Sequence, residues 1–215
     1  MRILGIDPGF AITGYSIIEY KGNHFTLIDS GAILTKAGES FPDRLVKIYD
    51  DMQNIIDTYK PEVLSIEELF FNTNTTTAIN VAQARGIVLV VAKKNNVPIY
   101  EYTPLQIKQA VTGYGRADKV QVQKMVKSIL KVDKLPKLDD TTDSMAAAIC
   151  YAHSSRFSKA LWFWYKWGRC VNRDVPFWHY RVNEGTSLLT QHPQRKILER
   201  KLIKWFVYCM VKMNT

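Results

Sequence analysis

The chain has 215 residues, 47% of them hydrophobic and 23% charged, the make-up of a globular protein that buries a core rather than of a disordered chain. Its net charge of +9 is unevenly placed: residues 1–155 carry 17 Lys and Arg against 17 Asp and Glu, while residues 156–215 carry 12 against 3. The longest late apolar run, 205–211, falls far short of the roughly 20 residues a membrane helix needs, and three widely spaced cysteines fit neither a disulfide framework nor a thiolate metal site, so a reduced, cytoplasmic setting is expected.

The opening MRILGIDPGF reads as strand and turn, without the long apolar core of a secretory signal. Three strands are expected first, at 2–7, 13–20 and 26–34. The Pro-Gly and Lys-Gly-Asn turns between them are short enough for an antiparallel meander. Ser40-Phe41-Pro42-Asp43 opens a helix whose apolar residues from Leu45 to Ile56 keep helical spacing through Tyr59, and Pro61 stops it. A buried-type strand at 63–67 follows. The next helix, from about Thr75 to Asn95, is rich in small residues that suit either packing on its own sheet or a dimer interface. Then come a strand at 99–102, a helix at 105–111 started by Thr103-Pro104, a helix at 119–130, and an Ala-rich helix at 141–157. This order, with acids ending the first and fourth strands and starting the last helix, is the pattern of an α/β, RNase H-like domain. The expected sheet is mixed and five-stranded, three antiparallel strands then parallel ones, flanked by helices. The expected domain covers 1–156, with a separate tail at 157–215.

Four carboxylates carry the chemistry. Asp7 closes the apolar run Ile3-Leu4-Gly5-Ile6, and Glu67 closes Val63-Leu64-Ser65-Ile66. A strand that is apolar up to a final acid delivers a carboxylate to a sheet edge. Asp140 and Asp143, three apart at the start of a helical pattern, project from one side of its first turn. Each has a plainer explanation taken alone: Asp-Pro-Gly favours turns, a strand-end Glu can reach water, and acids suit a helix N-terminus. Those explanations weaken because three separate segments place acids where one topology brings them together. Converging like charges repel strongly at low dielectric and call for divalent cations, and oxygen-only ligands suit Mg²⁺ or Mn²⁺.

The stretches ILGIDPGFAITGYSII, IEELFF, AQARG, YTPLQIKQAVTGYGRADKVQVQKMV and DSMAAAICYAH occur in this order. Together they make residues 1–156 resemble the RuvC family of Holliday-junction resolvases. The resemblance implies a homodimeric Mg²⁺-dependent endonuclease, with Mn²⁺ able to substitute, that places symmetrical nicks in opposed strands of four-way junction DNA and works with branch-migration motor proteins. It implies the tetrad Asp7, Glu67, Asp140 and Asp143 as metal ligands and catalytic residues, two ions per active site. Such ions, about 3.5–4 Å apart, clamp a scissile phosphate, with Asp7 expected to bridge them, Glu67 on the nucleophile side, Asp143 on the other and Asp140 completing the set. The family spacing selects Asp140 over Asp139, and strand alternation turns Glu68 away from Glu67. Phe70, with Phe71 as the next candidate, matches a junction-probing aromatic, and Lys108 and Lys119 match DNA-contacting lysines. The plainer readings are core packing for the phenylalanines and ordinary surface charge for the lysines. His153 receives no role.

Residues 157–215 depart from the family and hold all five tryptophans, Trp162, Trp164, Trp167, Trp178 and Trp205. A nucleic-acid arm, an amphipathic partner-binding segment around 197–213, and a stretch without selected structure are the three readings. Besides RNase H-type cleavage of RNA–DNA hybrids, which is close in fold, two rival functions compete. One is an actin/Hsp70-type nucleotide-binding ATPase, because GIDPGFAITG also resembles a phosphate loop, although no repeat or second Gly-rich loop accompanies it. The other is a catalytically idle junction-binding protein.

Overall fold

The computed structural model describes residues 1–69 and 75–171, with side chains described for 1–69 and 78–155. Phe70, Phe71 and the tail beyond Val171 lie outside the described residues. The strands are β1 (Arg2–Asp7), β2 (Ile12–Lys21), β3 (His24–Leu34), β4 (Val63–Glu67) and β5 (Ile99–Tyr102). The helices are α1 (Phe41–Tyr59), α2 (Thr75–Lys94), α3 (Pro104–Thr112), α4 (Lys119–Leu130) and α5 (Asp139–Val171). The strands form one sheet ordered β3-β2-β1-β4-β5, antiparallel across β3, β2 and β1 and parallel across β1, β4 and β5. This is the mixed sheet expected from the sequence. Among the described residues no helix is long and apolar enough to cross a membrane.

Local signals set the helix ends. Ser40 caps α1 by accepting from the Asp43 backbone N–H, Pro42 occupies the first turn, and Lys60 ends the helix in the left-handed region just before Pro61. Thr103 with Gln106, and Asp118 with Gln121, form reciprocal capping boxes at α3 and α4. One boundary corrects the expectation: α5 runs to Val171 instead of ending at Phe157. Between 158 and 171 the chain has no proline and a single glycine, Gly168, so nothing there removes an N–H from the helical ladder.

The sheet is covered on both faces, which is why β1 and β4 are apolar without alternation. On one face Leu4, Ile6, Ile17, Leu64 and Ile66 pack against Ile48, Met52, Ile55 and Ile56 of α1 and Ala84, Val88, Val91 and Ala92 of α2. On the other, Ile3, Ile18 and Val63 meet the buried Ala146–Ala152 stretch of α5, with α3 and α4 adding Ile107, Val111, Val122, Val126 and Leu130. Helix α5 lies very close to the strands beneath it. A Cβ on Gly5 would overlap the Ser144 carbonyl, and a Cβ on Gly14 would overlap the Asp140 carbonyl. The Ser65 hydroxyl donates to the Ala147 carbonyl at 2.6 Å, and the Thr141 hydroxyl donates to the Gly31 carbonyl at 3.2 Å. These bonds tie the first half of α5 to β4 and β3.

Gly14→Ala would force backbone apart rather than a flexible side chain. We expect the variant to lose about 1–3 kcal/mol of stability, read as a lower urea midpoint, with junction cleavage falling further than that loss alone explains.

Candidate active site

Ile6 of β1 pairs with Ile66 of β4, so the next residue on each strand is Asp7 and Glu67, side by side at the strand ends. Gly5 and Ser65 both face α5, and a residue two positions along a strand points the same way. Asp7 and Glu67 therefore also face α5. Asp140 reaches them because its backbone sits against Gly14, the ladder partner of Asp7. Asp143, about one turn further on, lines a cleft of about 260 Å³ together with Glu67, Pro104, Ile107, Lys108, Lys119, Val122 and Ala146. The four carboxylates singled out in the sequence thus share one end of the molecule, and the two lysines lie on the same cleft wall.

Electrostatics tie them into one unit. Burial pushes the Asp7 carboxyl from its ordinary 3.8 up to about 7, the negative charges of Glu67, Asp143 and Asp140 add to the rise, and Lys119 opposes it. Glu67 is raised by burial and then by Asp143, against the pull of Lys108. Asp143 also stands above the usual carboxylate range because of burial, although Lys119 pulls it down by charge and hydrogen bond. Neither Glu68 nor Asp139 is among the charges acting on Asp7. The Glu68 backbone N–H donates to the Tyr102 carbonyl just past the end of β4, and Asp139 engages Lys119 and Gln123.

The cluster is open rather than closed. Among the described residues no group of three or more His, Cys, Asp or Glu side chains is gathered tightly enough to hold an ion as it stands. This agrees with the mutual repulsion, because Coulomb forces act over many ångströms whereas Mg²⁺ needs oxygens at about 2.0–2.1 Å. Asp143 is turned toward the Lys119 ammonium, 3.3 Å away. The donor set is all oxygen and carries more negative charge than its surroundings neutralise, so it fits a hard divalent cation.

Two residues carry more than the sequence revealed. Arg85 of α2 donates from Nε to the Glu67 carbonyl at 3.4 Å and pairs with Glu101 of β5, holding the strand end that presents Glu67. The only trace of this in the sequence was a single charge within the small, apolar AQARG stretch. Asp139 is the other, through Lys119. His153 is satisfied, with Nδ1 at 2.9 Å from the Ala110 carbonyl and its ring edge-on to Phe25.

A strand-end acid pair facing two acids on a helix, on an RNase H-like sheet with a cationic cleft wall, defines the class of metal-dependent nucleases. Relatives make the family specific. The family model for crossover junction endodeoxyribonuclease RuvC matches residues 3–151. Relatives named crossover junction endodeoxyribonuclease RuvC include one from Ruminiclostridium cellulolyticum, 50% identical over 161 residues, which cover 75% of this chain and 97% of the relative. Another, from Alkaliphilus oremlandii, is 54% identical over 159 residues, covering 74% and 97%. The solved structure of T. thermophilus RuvC in complex with a Holliday junction substrate superposes with a TM-score of 0.71 at 33% identity, covering 74% of this chain and 96% of that one. A yeast mitochondrial Holliday junction resolvase shares the fold, with a TM-score of 0.55 at 16% identity over 71% of this chain and 78% of its own. The chain belongs to the RuvC family of crossover junction endodeoxyribonucleases, which are divalent-metal-dependent nucleases.

The raised Asp7 pKa has a consequence for folding. From about 4 to about 7 the folded protein holds a proton at Asp7 that the unfolded chain has released, so stability falls as pH rises through that window and the penalty is complete above it. In chelator, Asp7→Asn is expected to be more stable than the wild type at pH 8, by roughly 4 kcal/mol at most, with the gap closing by pH 4. Urea titrations at the two pH values measure it, and adding Mg²⁺ at pH 8 should raise the wild-type midpoint more than that of the variant.

Proposed function

We propose that this chain cleaves four-way DNA junctions by symmetrical paired nicks, hydrolysing phosphodiester bonds in recombination and repair. The observation that carries this reading is the convergence of Asp7, Glu67, Asp140 and Asp143 from three segments on one group of strand ends, beside a cleft walled by Lys108 and Lys119. The four carboxylates hold two Mg²⁺ ions, with Mn²⁺ able to substitute. Bound divalent ions supply Lewis-acid polarisation of the phosphate and a lowered pKa for the attacking water. The protein's own groups do the rest. Asp7, raised to about 7 by burial and then by its acidic neighbours, is only partly ionised near neutral pH unless a cation offsets both. Arg85 fixes the backbone from which Glu67 projects. Lys108 and Lys119 meet the backbone phosphates, and Phe70 stacks on an exposed base.

Paired nicks in opposed strands call for two copies of the site related by a two-fold axis. Helix α2 supports a homodimer: Ile79 and Val90 are exposed apolar residues, and Gly86, on the same face between them, has open space above it. The nuclease domain covers 1–156, with α5 continuing past that boundary to Val171, and 157–215 is the basic tail. A cytoplasmic setting with branch-migration motor proteins as partners completes the proposal.

On a synthetic four-way junction in Mg²⁺, the wild type should give a symmetrical pair of nicks. Asp143→Asn should bind the junction and lose cleavage by on the order of 100-fold or more. Wild-type binding without nicking, even in saturating Mn²⁺, would instead make the protein an idle junction binder. Lys108→Ala should lower the slope of log affinity against log salt by about 0.9, whereas a lysine outside the interface leaves the slope unchanged. Replacing Phe70 with Ala should cost about 1–3 kcal/mol of stacking without moving the unfolding midpoint.

A further inference from the structure

Asp139 adjoins the acidic pair and adds to the charge that raises Asp143, but it is not among the charges acting on Asp7. Its carboxylate is instead held at both oxygens. Oδ1 accepts from Gln123 Nε2 at 3.0 Å, and Oδ2 lies 3.1 Å from Lys119 Nζ, the same ammonium that lies 3.3 Å from Asp143 Oδ2. Lys119 and Gln123 are four apart on α4, and Asp139 and Asp143 are four apart on α5, so each helix offers one face to the other. Lys119 is also the first residue of α4. A cation there opposes the positive end of the helix dipole, so its place is not explained by the stability of α4. These groups are partly exposed, and exposed ion pairs add little to folding. What the arrangement does fix is position.

We propose that Asp139 is a positioning residue for Lys119. With Gln123 behind it, Asp139 holds the ammonium at the mouth of the cleft, where it balances Asp143 until a divalent ion arrives and then meets the substrate phosphate. The proposal rests on the nuclease reading for its last step, while the mooring itself concerns the free protein. An acid that merely solvates the first turn of α5 would behave differently. Removing its charge would favour DNA binding and leave turnover unchanged.

The test uses the full chain. In metal-free protein, the Lys119 ε-CH₂ resonances are followed by NMR, with Lys119→Met assigning them. Asp139→Asn should shift them toward the position of free lysine, and Asp139→Glu should keep most of the wild-type shift. Lys119→Met should bind Mn²⁺ more tightly than the wild type in calorimetry, because a competing cation is gone. With saturating junction and Mg²⁺, Asp139→Asn should slow nicking about tenfold while junction affinity holds or improves. It should have no further effect when added to Lys119→Met. Unmoved Lys119 resonances in Asp139→Asn, or rate losses that multiply in the double variant, overturn the proposal. The NMR result is independent of nicking, so a failure of the nuclease reading and a failure of the mooring are told apart.

Discussion

Everything at the acidic end depends on how closely α5 lies on the sheet. Gly5 and Gly14 leave no side chain between the strands and the Ser144 and Asp140 carbonyls, and the run of alanines behind them continues the fit. Hydrogen bonds from Ser65 and Thr141 to main-chain carbonyls fix the helix along its axis. A spacing larger by one methyl layer would lift the first turn of α5 off the strand ends, weakening the action of Asp140 and Asp143 on Asp7 and spreading the four carboxylates further apart. Packing density, a property of the core, therefore sets the charge density of the site.

That charge density is costly to the free protein. Three carboxylates raised above their ordinary range mean that the fold holds negative charge in a place that disfavours it, which is the usual bargain of a functional site. Two lysines offset part of the imbalance, Lys108 toward Glu67 and Lys119 toward Asp143. The cleft thus has a polarity: an acidic floor at the strand ends and a basic wall from α3 and α4. Such a division suits the proposed phosphodiester substrate: the acidic floor would hold the cations and the basic wall would meet flanking phosphates.

Regular structure was legible because its signals are local. The capping residues of α1, α3 and α4, the proline stop after α1 and the unbroken apolar runs of β1 and β4 located those elements within a residue or two. The end of α5 was misplaced because its Ala-rich pattern stops near Phe157, while the residues from there to Val171 hold no proline to end the helix. Helix propagation responds to prolines and backbone hydrogen bonds. Arg85 went unassigned because its partners, the Glu67 carbonyl and Glu101, lie 18 and 16 residues away in sequence, and no periodicity links them. Asp139 was separable from Asp140 in the sequence only by spacing. In the folded chain they differ by partner, since Asp140 acts on Asp7 while Asp139 engages Gln123 and Lys119.

From the order of residues alone came the class of fold, the family, and the acids worth watching, since all of these follow from patterns read along the chain: apolar runs, caps, and motifs in sequence. Only the folded molecule decided that the acids act on one another, that Lys119 stands between Asp139 and Asp143, and that Arg85 braces the end of β4. The last two depend on distances of about 3 Å between groups far apart in the chain. Such distances are set by how one helix settles on one sheet, and Coulomb energy and hydrogen bonding respond to separation in space rather than along the sequence.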